Sequence, residues 1–148
     1  MEMPKPYPLS EGFKSVELIL SFLLNRRDIG LLISPVPTTW MILYDAHELK
    51  TLFYDVISIF IATWPTNRMR QRPGTVRITF KADDPHLLVQ ITMRHILVSP
   101  FQWEHFLNAF KECATYEHLR ELGGDIEPLA WDEGYGQGII VRLPWAHL

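Results

Sequence analysis

Hydrophobic residues recur at helical spacing in three long segments of the chain. Residues 11–25, 46–64 and 100–122 each carry apolar side chains three or four positions apart, a pattern that predicts helices with an apolar face. In the first segment the apolar residues cover most of the circumference, so we expect that helix to have two packing partners. Ser10, Asp45 and Ser99-Pro100 are typical of helix starts, and Gly123-Gly124 is typical of a helix end.

Apolar or alternating runs between these helices predict six strands, over residues 28–34, 38–44, 76–80, 88–93, 125–131 and 138–143. The third and fourth strands flank the turn-like segment 82–85 and so predict a hairpin. The order helix, two strands, long helix, hairpin, helix, two strands predicts an α/β (α+β) two-layer sandwich, with a mixed β-sheet and helices packed on one face.

Length and composition limit the possibilities further. A chain of 148 residues suits one domain, and a net charge of -3 gives no electrostatic case for nucleic-acid binding. Cys113 has no second cysteine for an internal disulfide, and the N-terminus lacks the order of a signal peptide, so we expect a cytoplasmic protein. The longest apolar run, residues 56–64, is far short of the roughly 20 residues that span a bilayer, so no membrane association is expected.

The same patterns divide the chain into three parts. Residues 1–9 contain three prolines and are expected to form an extended tail. Residues 10–27 hold the first helix, and residues 28–148 hold the main domain. No internal repeat or low-complexity segment interrupts this division.

The last part of the chain resembles the end of a histidine-kinase ATPase domain. Gly123-Gly124-Asp125-Ile126 is similar to the Gly-Gly-x-Ile turn of that family. Gly134-Tyr135-Gly136, followed by apolar residues at alternate positions and by Leu143-Pro144, resembles the family's closing Gly-x-Gly strand. The resemblance covers about residues 28–144 and implies the histidine-kinase ATPase-domain fold.

The segment 45–61 resembles the family's first nucleotide-binding helix without a gap. In this register Asp45 and Leu49 match, Asp55 stands where the first Asn would be, and Ile59 stands at the magnesium-binding Asn. Magnesium requires oxygen ligands, which an isoleucine side chain does not offer.

The other nucleotide motifs are changed as well. Met93 stands where the adenine-binding Asp would be, and His95 and Leu97 stand at two glycines of the same motif. The segment 97–100 leads directly into a helix where the family has a long lid, and Ala109-Phe110-Lys111 replaces the phosphate-binding Gly-Leu-Gly. The comparison therefore predicts a degenerate pocket plugged by apolar side chains, with no cofactor, no metal ion and no catalytic residue.

From this comparison we expect a protein that is not an enzyme: a pseudokinase that has lost ATP binding. Its expected role is that of a protein-interaction or regulatory module in two-component signal transduction, with a response regulator or a kinase as partner. Kinase relatives associate through helices N-terminal to this domain, so the helix Ser10–Asn25 is a candidate homodimer surface. Two alternatives stay open: a histidine phosphotransferase with a decayed ATP domain, and a small-molecule sensor that reuses the pocket.

A few residues outside these motifs could carry chemistry or binding. The candidate interaction residues are Arg68, Arg70, Arg72, Tyr135 and Trp145, because arginine-rich loops and exposed aromatic residues are common at interfaces. His105 and His118 are interpreted as solvated residues of one long helix, since their separation is too large for a shared metal ion. Cys113 lies on the apolar face of that helix and is interpreted as a buried structural thiol rather than a nucleophile.

Overall fold

The computed structural model describes residues 5–63, 74–83, 85–93, 100–129 and 138–144. The elements in these ranges follow the chain in the order β1 (Tyr7–Pro8), α1 (Leu9–Asn25), β2 (Gly30–Ile33), β3 (Met41–Ile42), α2 (Ala46–Thr63), β4 (Thr75–Asp83), β5 (His86–Met93), α3 (Pro100–Lys111), α4 (Ala114–Glu121), β6 (Asp125–Leu129) and β7 (Gly138–Pro144).

The main sheet has five strands in the order β2-β4-β5-β7-β6. The edge strand β2 runs parallel to β4, whereas the pairs β4/β5, β5/β7 and β6/β7 are antiparallel. β1 and β3 form a separate antiparallel pair that joins the start of α1 to the segment before α2. The predicted two-layer architecture, a mixed sheet with helices on one face, is confirmed.

The core lies between this sheet and the helices. Val76 and Ile78 on β4 are buried and face the helices, whereas Arg77 between them is exposed on the other face, as the alternation of a strand requires. Phe13 of α1 joins the two layers, because its ring packs 5.0 Å from that of Phe53 and 4.8 Å from that of Phe80. Burying a side chain of this size contributes about 1.5–3 kcal/mol.

The central helix α2 begins as its sequence predicts. Asp45 caps it by accepting a hydrogen bond from the backbone N–H of Glu48 at 2.7 Å. One face of the helix is fully buried at Leu49, Leu52, Phe53, Val56 and Ile57. Glu48 and Asp55 lie on a different side, half-buried beside α4, so the apolar pattern of α2 determines where these carboxylates lie.

The third predicted helix, residues 100–122, is in fact two helices, α3 and α4. Cys113 between them is extended, with φ -84° and ψ 140°. The backbone N–H of Cys113 donates to the carbonyl oxygen of Phe110, which tightens the last turn of α3 before the break. Apolar residues continue through the break, so their spacing gave no sign of it.

The N-terminal region also differs from the prediction. The strands predicted over residues 28–34 and 38–44 are shorter in the structure, where they correspond to β2 and β3. Asp28 adopts a left-handed conformation with φ 58° and ends the turn after α1, so β2 begins only at Gly30. Helix α1 starts at Leu9, whose N–H donates to the carbonyl oxygen of Trp40 at 3.0 Å. Its apolar circumference is only partly covered, because Leu18 and Phe22 remain 75% and 65% exposed.

None of the helices in the described ranges has the length and apolar character needed to span a bilayer.

Candidate functional site at the seam between α2 and α4

Two side chains of α2 meet two side chains of α4. Glu48 and Asp55 lie seven positions apart on α2 and therefore share a face, and Thr115 and His118 lie three positions apart on α4 and share a face as well. The Thr115 hydroxyl donates to Oδ2 of Asp55 at 2.5 Å. Nε2 of His118 contacts Oε2 of Glu48. We call these four residues the α2–α4 seam.

A buried phenol borders the seam. Tyr44 is only 1% exposed, and its hydroxyl has no hydrogen-bond partner among the described residues. Its ring lies edge-on to the imidazole of His118, with the ring centres 5.5 Å apart. Burial, and then the negative charge of Glu48, raise the pKa of Tyr44 above its ordinary value, so the hydroxyl stays protonated.

Cys113 lies at the N-terminal end of α4, half-buried, and its Sγ donates to the carbonyl oxygen of Ala109 at 3.7 Å. Burial, followed by the charges of Asp55 and Glu112, raises the pKa of the thiol. A raised pKa keeps the sulfur in its weakly nucleophilic thiol form. This agrees with a structural role for Cys113, although the side chain is less buried than predicted.

The residue that the sequence register aligns with the family's magnesium ligand is apolar. Ile59 is half-buried and packs against the core, and its side chain carries no atom that could bind a cation. Phe60 beside it is 2% exposed and meets Phe106 of α3 edge-on, at 5.8 Å between ring centres. Asp55, which the same register aligns with the family's first Asn, is engaged by Thr115.

Several predicted site residues cannot be placed. Met93 ends β5, where its backbone is paired with Val76, but its side chain lies outside the described residues. The same holds for all atoms of His95, Leu97, Arg68, Arg70, Arg72, Tyr135 and Trp145.

The two helix histidines behave differently. His105 is exposed and stacks on Phe101 at 6.2 Å, as expected of a solvated residue. His118 also keeps a side chain that is 42% exposed, but the break at Cys113 directs α4 against α2 and brings its imidazole to Glu48. The sequence reasoning missed Glu48. Its spacing of seven positions from Asp55 on α2 is a signal that could have paired the two carboxylates, but their partners on α4 depend on the break at Cys113.

Within the described ranges, no group of three or more histidine, cysteine, aspartate or glutamate side chains is arranged to hold a metal ion.

Neither the search of protein-family models nor the search of curated proteins gives a match for the sequence. The architecture does match solved structures. The mycobacterial sensor histidine kinase MprB superimposes with a TM-score of 0.64 at 16% identity, over 97% of this chain and 100% of that one. The catalytic domain of histidine kinase ThkA, in a nucleotide-free form, gives the same score and identity over 97% and 96% of the two chains. The chain has the fold of a histidine-kinase catalytic domain.

A third example is the histidine kinase AdeS of Acinetobacter baumannii, with a TM-score of 0.62 at 11% identity over 97% of this chain and 68% of that one. These matches contradict the prediction that the protein is not an enzyme, because the matched structures are catalytic domains of enzymes. An isoleucine at a position that the sequence register aligns with a magnesium ligand does not by itself establish a loss of activity.

Proposed function

We propose that this histidine-kinase-like domain acts in two-component signalling by binding a protein partner in the cytoplasm, and that it no longer binds magnesium-ATP in the manner of the family. The fold supports the first part. Histidine kinase ThkA has been solved in complex with the response regulator protein TrrA, and it matches this chain with a TM-score of 0.64 at 11% identity, over 97% of this chain and 42% of that one. The lone Cys113 supports a reducing compartment.

The observation that carries the second part is the apolar, half-buried side chain of Ile59, which the sequence register aligns with the family's magnesium ligand. Magnesium keeps a near-octahedral set of oxygen ligands, and replacing one of them by a hydrocarbon removes a contact that the cation cannot recover from the same position. Asp55, one helical turn earlier, accepts a hydrogen bond from Thr115 and is therefore already engaged. Both side chains of α2 that would face a nucleotide thus have other neighbours.

Binding to receiver domains tests the signalling role. We expect one response-regulator receiver domain from the same genome to bind the full chain with a dissociation constant of about micromolar order in calorimetry. Phe101 of α3 is 77% exposed and lies in the helix layer, so Phe101→Ser should weaken the complex. Leu32→Ser is the matched control, because Leu32 is 53% exposed on the opposite side of the sheet. The absence of binding to every receiver domain would contradict the proposal.

We further propose that α1 forms a homodimer contact. Leu18 and Phe22 are one helical turn apart and exposed on the same face, and the guanidinium of Arg26 lies 5.6 Å from the centre of the Phe22 ring. Exposed apolar side chains next to each other are typical of interaction surfaces.

Sedimentation equilibrium over a range of concentrations tests this dimer. The wild-type chain should approach twice its mass of 17.3 kDa as its concentration rises, and the double variant Leu18→Ser/Phe22→Ser should remain a monomer. Tyr54→Ser, which alters an exposed aromatic residue on α2, should dimerise like the wild type. A wild-type monomer at all concentrations would remove the proposal.

A further inference from the structure

The two edges of the main sheet differ in what they offer to another strand. β6 forms one edge and carries Pro128, which has no N–H to donate, between the acidic residue Glu127 and Leu129. β2 forms the other edge with the sequence Gly-Leu-Leu-Ile, which contains neither proline nor a charged residue. Edge strands of natural proteins are commonly blocked against further pairing by such residues. β2 is therefore the less protected edge.

The hydrogen bonds of β2 show which of its backbone groups face outward. The N–H groups of Gly30 and Ser34 each donate at 2.9 Å to a carbonyl oxygen in or next to β4. Successive residues of a strand direct their N–H and C=O groups to opposite sides, so those of Leu31 and Ile33 face away from β4. Within the described ranges no backbone group pairs with them on that side. Two donors and two acceptors are thus free to pair with an added strand.

The side chains of β2 leave apolar surface on both sides of this edge. Leu32 is 53% exposed on the face of the sheet that carries no helices. Leu31 and Ile33 pack against the core from the other face but are only half-buried. A strand added beside β2 would cover these side chains with its own residues at alternate positions.

The charges around β2 favour an acidic partner. Arg77 of β4 lies beside the middle of β2 in the register and is exposed on the helix-free face, and Lys81 follows it four positions later. In the part of the chain that the structure describes, neither has a carboxylate partner. At the start of β2, Arg26 and Arg27 are exposed beside the single carboxylate of Asp28. The whole chain has a net charge of -3, so this excess of positive charge is local.

We propose that β2 is a docking edge for an extended acidic segment of a partner protein, which adds to the sheet as a further strand. The main chain of the segment pairs with Leu31 and Ile33, and its carboxylates reach across Leu32 to Arg77. The added strand lies about 10 Å from β4, a distance of two strand spacings that an arginine and a glutamate side chain span together. Main-chain hydrogen bonds supply the affinity, and the charges select the sequence. This contact does not depend on the receiver-domain complex proposed above.

Amide hydrogen exchange of the full chain tests the added strand with a defined probe. The probe is a capped octapeptide of alternating valine and glutamate, and its charge-reversed control alternates valine and lysine. With the glutamate peptide at about ten times its dissociation constant, exchange of the Leu31 and Ile33 amides should slow about tenfold, because both amides gain an acceptor. The Leu32 amide should change less, since it already faces β4. The lysine peptide should leave all three amides unchanged.

Charge reversal at Arg77 tests the preference for acidic segments. Arg77→Glu should weaken the binding of the glutamate peptide about fivefold, the size expected of an exposed ion pair. Lys111→Glu makes the same charge change at an exposed position of α3 and should bind like the wild type. The proposal is wrong if the glutamate peptide at about millimolar concentration leaves the Leu31 and Ile33 amides unprotected, or if the two peptides bind equally well. It is also wrong if these amides become protected as the protein concentration alone rises, since the edge would then pair with a second copy of the chain.

Discussion

The turn after α4 shows how single residues fix the geometry next to the α2–α4 seam. Gly123 has a φ of 87°, which glycine adopts at little cost. A Cβ added to Gly124 would lie 2.4 Å from Cδ1 of Leu119 and 2.5 Å from the carbonyl oxygen of Arg142. Leu119 is the buried anchor of α4 and Arg142 belongs to β7. Gly124 therefore allows α4 to approach the sheet closely.

The substitution Gly124→Ala should destabilise the protein by about 1–3 kcal/mol, because the new methyl group overlaps a backbone oxygen that cannot move without shifting β7. Urea denaturation monitored by tryptophan fluorescence gives the free energy of unfolding. Glu121→Ala, an exposed change on the same helix, should stay within about 0.5 kcal/mol of the wild type. A Gly124→Ala variant as stable as the wild type would show that the contact is not tight.

Some residue roles could be predicted and others could not. The cap at Asp45 and the turn at Gly123-Gly124 follow from local chemistry, and the structure confirms both. The partner of His118 is 70 positions away, and nothing in the local sequence specifies it. The unpaired hydroxyl of Tyr44 also depends on long-range packing, since it is defined by the residues that exclude water from it.

At the scale of elements, the hydrogen bond between Thr115 and Asp55 contributes to the stability of the packing of α4 against α2. Thr115 and Asp55 are both half-buried, so their hydrogen bond is less screened than one at the surface. The Glu11–Lys14 pair on α1 offers a contrast, with side chains 54% and 72% exposed and a separation of 3.1 Å.

A double-mutant cycle of Asp55→Ala and Thr115→Val should give a coupling energy of about 1.5 kcal/mol, the range of a hydrogen bond to a charged group. The free energies of unfolding of the wild type, the two single variants and the double variant supply the cycle. The same cycle at Glu11 and Lys14 should give a much smaller value, because solvent screens that pair. Equal coupling energies in the two cycles would refute the distinction.

At the level of elements, periodicity predicted the three helical segments but not their interruption. Apolar positions run through Phe110, Cys113 and Leu119 as if one helix continued, although the chain turns at Cys113. The β4–β5 hairpin was confirmed, since the two strands are neighbours in sequence and pair from Val76↔Met93 to Asp83↔His86. The length of β3 was overestimated, because its apolar residues contribute to the core and the strand pairs with β1 rather than with the main sheet.

For the whole molecule, the order of elements and the closing strands were sufficient to predict the two-layer fold with a mixed sheet. The strand order was not predictable in the same way, because β7 inserts between β5 and β6. Its pairing with β6 joins neighbours in sequence, whereas its pairing with β5 joins strands separated by α3, α4 and β6. The resemblance in the closing segments indicated the histidine-kinase fold that the solved structures show. It did not justify the prediction that the protein is not an enzyme.

We propose that the α2 surface that would bind magnesium-ATP in the family makes contacts within the chain instead. A titration of the isotope-labelled protein with magnesium-ATP, followed by backbone amide NMR, tests it directly, with EDTA in place of magnesium as the control. We predict that the amides of Asp55, Ile59 and Thr115 keep their positions up to about millimolar nucleotide. Saturable, magnesium-dependent shifts at these three amides would contradict the claim.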